Sequence, residues 1–155
     1  MRLKIRTSDI SDCRDLWEWR NHPDVRKWAF DPSEIAYEEH KKWFERKITD
    51  EDVEIYIAEN ENGKKLGQVR FDVGTNDSIV SVNLNPDFFG QGLGHRIIKE
   101  ATDVFLESRN DIKTVNAQIM KENIASRKAF EKAGYTFAEE RDVNGRGAEV
   151  FVYKR

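Results

Sequence analysis

The hydrophobic period of the chain changes at Pro86, and three glycines at alternate positions make the join. Before it, Lys65 to Val73 and Ser78 to Leu84 alternate apolar and polar residues as strands do. After it, Leu93, Ile97, Ile98, Ala101, Val104 and Phe105 recur at helical spacing. The join reads Val82-Asn83-Leu84-Asn85-Pro86-Asp87-Phe88-Phe89-Gly90-Gln91-Gly92-Leu93-Gly94-His95. A strand that turns into a helix of about four turns, starting near Gly92, accommodates both periods. Glycines let a backbone approach a ligand closely, and the first-turn N–H groups of a helix have no partners inside it. With the positive end of the helix dipole, those donors suit phosphate oxygens. The Lys-Ser/Thr of a nucleoside-triphosphate loop is missing, which disfavours an ATPase. A dinucleotide fold would place such glycines in a parallel βαβ unit near the N-terminus, whereas these follow a meander at mid-chain. Taken alone, the glycines fit a ligand-free strand-to-helix turn about equally well.

The rest of the chain can be read around that join. Leu3 to Arg6 alternates as a first strand. Ser11 or Asp12 is placed to cap a helix with Cys13, Leu16 and Trp17 on one face. Asn21 to Asp31 reads as a short helix with loops, and Ser33 as the cap of a helix carrying Ala36, His40, Trp43 and Phe44 in one stripe. Val53 to Glu59 alternates, and Asn62-Gly63 supplies the tight turn that follows it. With the two strands already described, this makes a three-strand antiparallel meander. Thr114 to Ile119 is a strand, Asn123 caps a helix ending at Gly134, and Tyr135 to Val143 and Ala148 to Lys154 are two last strands. The order β, helices, βββ, α, β, α, ββ predicts a mixed α/β (α+β) fold. Its centre is a mostly antiparallel mixed sheet of six to seven strands with helices on both faces, in one domain over residues 1–155.

Charge and cysteine usage narrow the function. Lys plus Arg is 26 and Asp plus Glu 29, a formal charge of −3, so no basic excess points to nucleic acid. Cys13 is the single cysteine, which rules out an intrachain disulfide and a cysteine-rich zinc site. His22, His40 and His95 lack metal-ligand spacing, so no metal is expected. Met1 to Arg6 is charged without a signal-peptide apolar run, and no stretch approaches the roughly 20 apolar residues of a membrane span. The expectation is a cytoplasmic protein, monomer or homodimer, with no membrane partner.

A second segment lies one strand after the glycine-opened helix: Asn123-Ile124-Ala125-Ser126-Arg127-Lys128-Ala129-Phe130-Glu131-Lys132-Ala133-Gly134-Tyr135. The ordered pair of motifs resembles the GNAT superfamily of N-acetyltransferases. Phe89-Gly90-Gln91-Gly92-Leu93-Gly94 matches the family loop except at its first position, and Asn123, Ser126, Phe130 and Gly134-Tyr135 match its later segment. The resemblance implies acetyl-CoA as co-substrate. Val82 and Leu84 would pair with its pantetheine arm, and a backbone N–H there, assigned to Leu84, would meet the thioester carbonyl. Gln91 to His95 would wrap the pyrophosphate, with Phe89 and Gly90 leading into that turn. Asn123, with Ser126, would hold the pantetheine arm. Lys128 and Arg127 would reach the 3′-phosphate, although a solvated helix face explains each singly. Two departures stand out. The family's helix aromatic is often a proton-donating Tyr, here Phe130, and the position where some members carry a Glu base is Gln118.

The N-terminal third, in Trp17-Glu18-Trp19-Arg20-Asn21-His22-Pro23-Asp24-Val25-Arg26, Glu39-His40-Lys41-Lys42-Trp43-Phe44 and Gly67-Gln68-Val69-Arg70-Phe71-Asp72, resembles sugar-nucleotide N-acetyltransferases of pseudaminic-acid-type pathways. It is more loosely similar to relatives that acetylate protein N-termini or small amines. The resemblance implies a small-molecule amine acceptor, a nucleotide-linked amino sugar, near Arg20, Asn21, Trp28, Trp43, Arg70 and Asp72. Gln68, Arg70 and Asp72 share one strand face, so Arg70 can meet a diphosphate and Asp72 a sugar hydroxyl or ammonium. Trp28, Phe30 and Trp43 can stack on a base or sugar, with core packing as the plainer reading of each. His40 is the best-placed titratable group for a general base, against a plainer role as a satisfied, partly buried imidazole. Glu122, beside Asn123, ranks behind it. A non-catalytic acyl-CoA-binding module is the remaining alternative.

Overall fold

Successive side chains of the strand Val53–Glu59 (β2) feed two different cores. Ile55 and Ile57 pack with Cys13, Leu16, Trp19 and Phe44. Tyr56 and Ala58 join Phe71, Val80, Ile97, Phe105, Ile119 and Phe151 on the opposite side. A sheet buried on both faces needs a helical layer on each. The structure, a computed structural model, describes residues 2–155. The helices Cys13–Asn21 (α1), Pro23–Arg26 (α2) and Tyr37–Lys47 (α3) precede β2, and α1 and α3 cover the first face. Gly94–Ser108 (α4) and Ile124–Lys132 (α5) cover the second. Phe71 and Phe105 stack there with centroids 4.1 Å apart.

The remaining strands are Lys4–Thr7 (β1), Lys65–Val73 (β3), Asp77–Leu84 (β4), Thr114–Met120 (β5), Thr136–Val143 (β6) and Arg146–Lys154 (β7). They form one sheet in the order β1-β2-β3-β4-β5-β7-β6. Every neighbouring pair is antiparallel except β4 with β5, which is parallel. This is the mixed, mostly antiparallel sheet with helices on both faces that the element order predicts. Among the described residues no helix is long and apolar enough to cross a membrane.

Three local expectations fail, each for a polar reason. Ser33 does not cap α3: its hydroxyl donates to the Asp31 carboxylate at 2.6 Å, and Ala36 holds the cap position without a side-chain bond. Asp12 stands at the cap position of α1 but its carboxylate is committed elsewhere. It accepts from Arg6 Nη1 at 2.9 Å and from the Asp9 N–H at 2.9 Å, and meets Lys65 Nζ at 2.8 Å. Trp19 rather than Trp17 completes the buried stripe of α1, because Trp17 donates its indole N–H to the Ile35 carbonyl at 2.7 Å. The helix expected near Gly92 begins at Gly94.

Candidate active site

The sheet divides where β4 meets β5. Their parallel pairing runs from Asp77–Thr114 to Val80–Ala117 and stops, although β4 continues to Leu84 and β5 to Met120. On their outer sides both strands stay paired: Leu84 opposes Gly67 of β3, and Met120 opposes Ala148 of β7. The ladder phase shows which groups face the gap. The Gly74 N–H donates to the Asp77 carbonyl and the Asn85 N–H to the Leu66 carbonyl, so odd-numbered β4 residues turn their backbone toward β3. The N–H and C=O of Val82 and Leu84 therefore point into the fork, where among the described residues no strand meets them.

The chain beyond Leu84 closes one end of the fork. Asn85 fixes the turn by accepting from the Asp87 N–H at 3.0 Å and donating to the Lys65 carbonyl at 2.9 Å. Gly90 and Gly92 have φ of 77° and 69°, the left-handed region that penalises a side chain. Open space lies where a Cβ on either would project, so the backbone conformation rather than crowding calls for glycine. α4 then starts without a side-chain cap, leaving its first-turn N–H groups facing outward. A Cβ on Gly94 would lie 3.5 Å from that of Ala129, so α5 packs close beside it. Asn123 caps α5 by accepting from the Ser126 N–H at 3.2 Å.

The fork opens into a cleft of about 950 Å³. Its lining includes Val82, Leu84, Gln118, Asn123, Ser126, Lys128 and Phe130, the whole run from Phe89 to His95, and, on the α1 side, Arg20, Trp28 and Arg70. Asn21, His40, Trp43, Asp72 and Glu122 are not in that lining. Asn21 instead clamps the Ile35 peptide, accepting from its N–H at 2.9 Å and donating to its carbonyl at 2.7 Å, so it shapes the loop over the cleft. Trp43 lies 5.2 Å from the Arg70 guanidinium, and Asp72 accepts from Arg70 at 3.0 Å. Both act on the cleft through Arg70. His40 is buried and stacked on Phe44, and burial pushes its pKa down. Phe130 is buried, set edge-on to Tyr135, so it serves core and cleft wall together.

Ser81, Asn83, Asp24 and Lys27 also line the cleft and escaped the sequence reading. Ser81 and Asn83 oppose Arg70 and Gln68 across the β3–β4 ladder, and the Asn83 amide donates to Gln68 at 3.5 Å. The alternation of β4, combined with the polar face of β3, carried that signal. Asp24 lies in the four-residue helix α2 and Lys27 directly follows it, a helix too short to leave a period that would place them. Among the described residues no three His, Cys, Asp or Glu side chains gather as a metal site.

Comparison with known proteins follows the same lines. An uncharacterised protein of Methanocaldococcus jannaschii is 26% identical over 138 residues, covering 86% of this chain, which spans 28% of that protein's length. A solved domain from the same organism superposes with a TM-score of 0.83 at 21% identity over 99% of both chains. The aminoglycoside acetyltransferase AAC(6')-Ib, solved with ribostamycin and coenzyme A, gives a TM-score of 0.86 at 18% identity, covering 100% of this chain and 94% of that one. Spermidine N-acetyltransferase from Vibrio cholerae, solved with CoA and spermine, gives 0.86 at 16%, covering 98% and 95%. These identities speak to the fold. The acetyltransferase (GNAT) domain family matches residues 2–136. With that match over most of its length, the chain belongs to the GNAT acetyltransferase family, whose co-substrate is acetyl-CoA.

Proposed function

We propose that this chain moves the acetyl group of acetyl-CoA onto a primary amine by direct attack of the amine within the fork. The carrying observation is the adjacency of two backbone surfaces: the fork-facing edge of Val82 and Leu84, which no strand pairs among the described residues, and the start of α4 behind Gly90 and Gly92, which no side chain caps. The first suits an extended amide-bearing arm lying as an added strand. The second suits a pyrophosphate. His95, Lys128 and Lys132 belong to the same cleft lining. The co-substrate supplies an activated acyl carbonyl, and the Leu84 N–H is placed to stabilise negative charge that builds on its oxygen. Asn123 and Ser126 fix the α5 start that flanks the arm.

Proton transfer in this reading needs no strong base. His40 is withdrawn as a candidate because it lies behind the lining, and so is Glu122. An amine of pKa near 8 is neutral about a tenth of the time at pH 7, so removal of its proton through water suffices. Gln118 then orients rather than titrates. Gln118→Ala is expected to lower kcat/KM by less than about tenfold and to leave the pH profile unmoved. A change in profile would show that the side chain holds the proton path.

For the acceptor we favour a nucleotide-linked amino sugar, supported by Arg20, Arg70 and Trp28 lining the same cleft as the glycine turn. The rival is a protein N-terminal amine or a small amine, and the solved neighbours with ribostamycin and spermine give that rival its weight. A non-catalytic acyl-CoA-binding role is the further rival. We place the chain in the cytoplasm, as monomer or homodimer, and assign the activity to residues 1–155 as one domain. The deciding measurement is free-thiol release from acetyl-CoA across a panel of amines, expected to depend on acceptor. Gly92→Ala should weaken coenzyme A binding about tenfold by calorimetry, since holding a non-glycine residue left-handed costs about 1–2 kcal/mol. Well-folded wild-type protein with no affinity for coenzyme A would end the assignment.

A further inference from the structure

Most cations at the acceptor end of the cleft are answered by a carboxylate. Arg70 Nε donates to Asp72 at 3.0 Å, and Lys27 stands 3.7 Å from Asp24. Behind the lining, Arg26 lies 3.6 Å from Glu34. Arg20 differs. Its Nη2 donates to the main-chain carbonyl of Asp31 at 2.7 Å, and its Nη1 is buried without a hydrogen-bond partner. A neutral carbonyl orients a guanidinium, and the Asp31 charge reaches it only through space, without a hydrogen bond to its carboxylate. The Asp31 carboxylate is turned to Ser33, accepting from its N–H at 3.2 Å and its hydroxyl at 2.6 Å. Burial works against the charge of Arg20, the Asp31 charge supports it, and Arg26 adds a like charge nearby, with the net effect unfavourable to the cation. Arg20 lies in the last turn of α1, where the helix dipole favours a cation. Neither the dipole nor the Asp31 charge gives Nη1 the acceptor it lacks.

We propose that Arg20 recognises an anionic substituent of the acceptor, a carboxylate or a phosphate, so that the amine acetylated here carries negative charge and is not a polycation. The guanidinium is already held at the cleft wall by the Asp31 carbonyl, and Nη1 is the donor left without an acceptor. Asp24 is the one carboxylate of the cleft lining among the described residues, and Lys27 screens it. A polyamine would find little to hold its charges. The inference rests on the acetyl-transfer reading and names its substrate class.

Matched acceptors test it. Thiol release is measured for an amino sugar against its phosphate, for a dipeptide against its C-terminal amide, and for spermidine. The anionic member of one pair is expected to win by about ten- to a hundredfold in kcat/KM, the scale of a hydrogen bond to a charged group. Which pair shows the preference distinguishes phosphate from carboxylate. Arg20→Gln should lower kcat/KM far more for the anionic member of the pair than for its neutral partner, and Arg20→Lys should keep part of the preference. Equal thermal stabilisation of all three proteins by acetyl-CoA would show the donor site intact. Wild-type preference for the neutral members or for spermidine overturns the inference, as does an equal loss for both members in Arg20→Gln. If no acceptor releases thiol, the transfer reading is what has failed. Calorimetry with inorganic phosphate and with acetate on coenzyme A-saturated protein then decides: binding lost in Arg20→Gln upholds the anion site, and absence of binding in the wild type removes it.

Discussion

Leu84→Pro should lower kcat by about 100- to 1,000-fold while the protein remains folded. That loss is typical of removing one donor from a developing oxyanion. The substitution is selective because of ladder phase. Proline has no N–H, but the N–H of Leu84 faces the fork and takes no part in the pairing with β3, so no sheet hydrogen bond is lost. Asn83 before it is already in extended backbone, as a residue preceding proline must be. The side chain is controlled separately. Leu84 packs partly buried against the α4 core, so Leu84→Ala should cost about 1–2 kcal/mol of stability yet keep kcat within about tenfold. Equal activity of the two variants would show that this N–H does not serve the reaction.

Asp12→Ala should cost about 3 kcal/mol or more of folding stability, with little effect on acetyl-CoA affinity once folded. Asp12 is fully buried and binds Arg6 of β1 and Lys65 of β3 from the start of α1. Removing it takes the buried carboxylate from two cations, leaving Arg6 with Glu59 and Lys65 with Asp15, and breaking a buried pair from one side costs about 3–5 kcal/mol. The low end applies because both partners are partly exposed. The same site sets an acid limit. Burial pushes the carboxyl pKa up, but the bonds from Arg6 and Lys65 outweigh it and bring the value to about 2, from 3.8. A pKa depressed in the fold gives stability that is present above the unfolded value and disappears as pH falls toward the folded one. Urea midpoints should therefore fall between pH of about 4 and 2 in the wild type, with this contribution missing in Asp12→Asn. Matching wild-type and Asn curves over that window would show that Asp12 is not the responsible group.

Sequence period carried most of the architecture because burial on both sheet faces leaves a strong signal. Ile55 and Ile57 against Tyr56 and Ala58 already separate two cores, and Ile97, Ala101 and Phe105 mark one helix face. The glycine turn was legible because positive φ restricts residue choice. The acceptor wall was not, for three reasons visible in particular residues. Asn21 and Asp72 act through neighbours, so their residue types suggested contact with a ligand that their geometry does not give them. His40 has a titratable side chain whose depth no local pattern reveals. Asp24 belongs to the single-turn α2 and Lys27 follows it, in a segment after α1 tied down by Asn21 clamping a peptide fourteen residues onward, a long-range bond with no periodic trace.

The parting of β4 from β5 also bears on how fast the site can accept a ligand. Each arm is paired along its outer side, β4 to β3 as far as Leu84 and β5 to β7 as far as Met120, so closing the gap would require bending two laddered pairs of strands together rather than moving one free strand. The groove therefore stands ready in the empty protein, and its amides wait in water at their working spacing. Association should run without a slow closing step, as a single concentration-dependent phase whose rate keeps rising with ligand instead of levelling at a rearrangement limit.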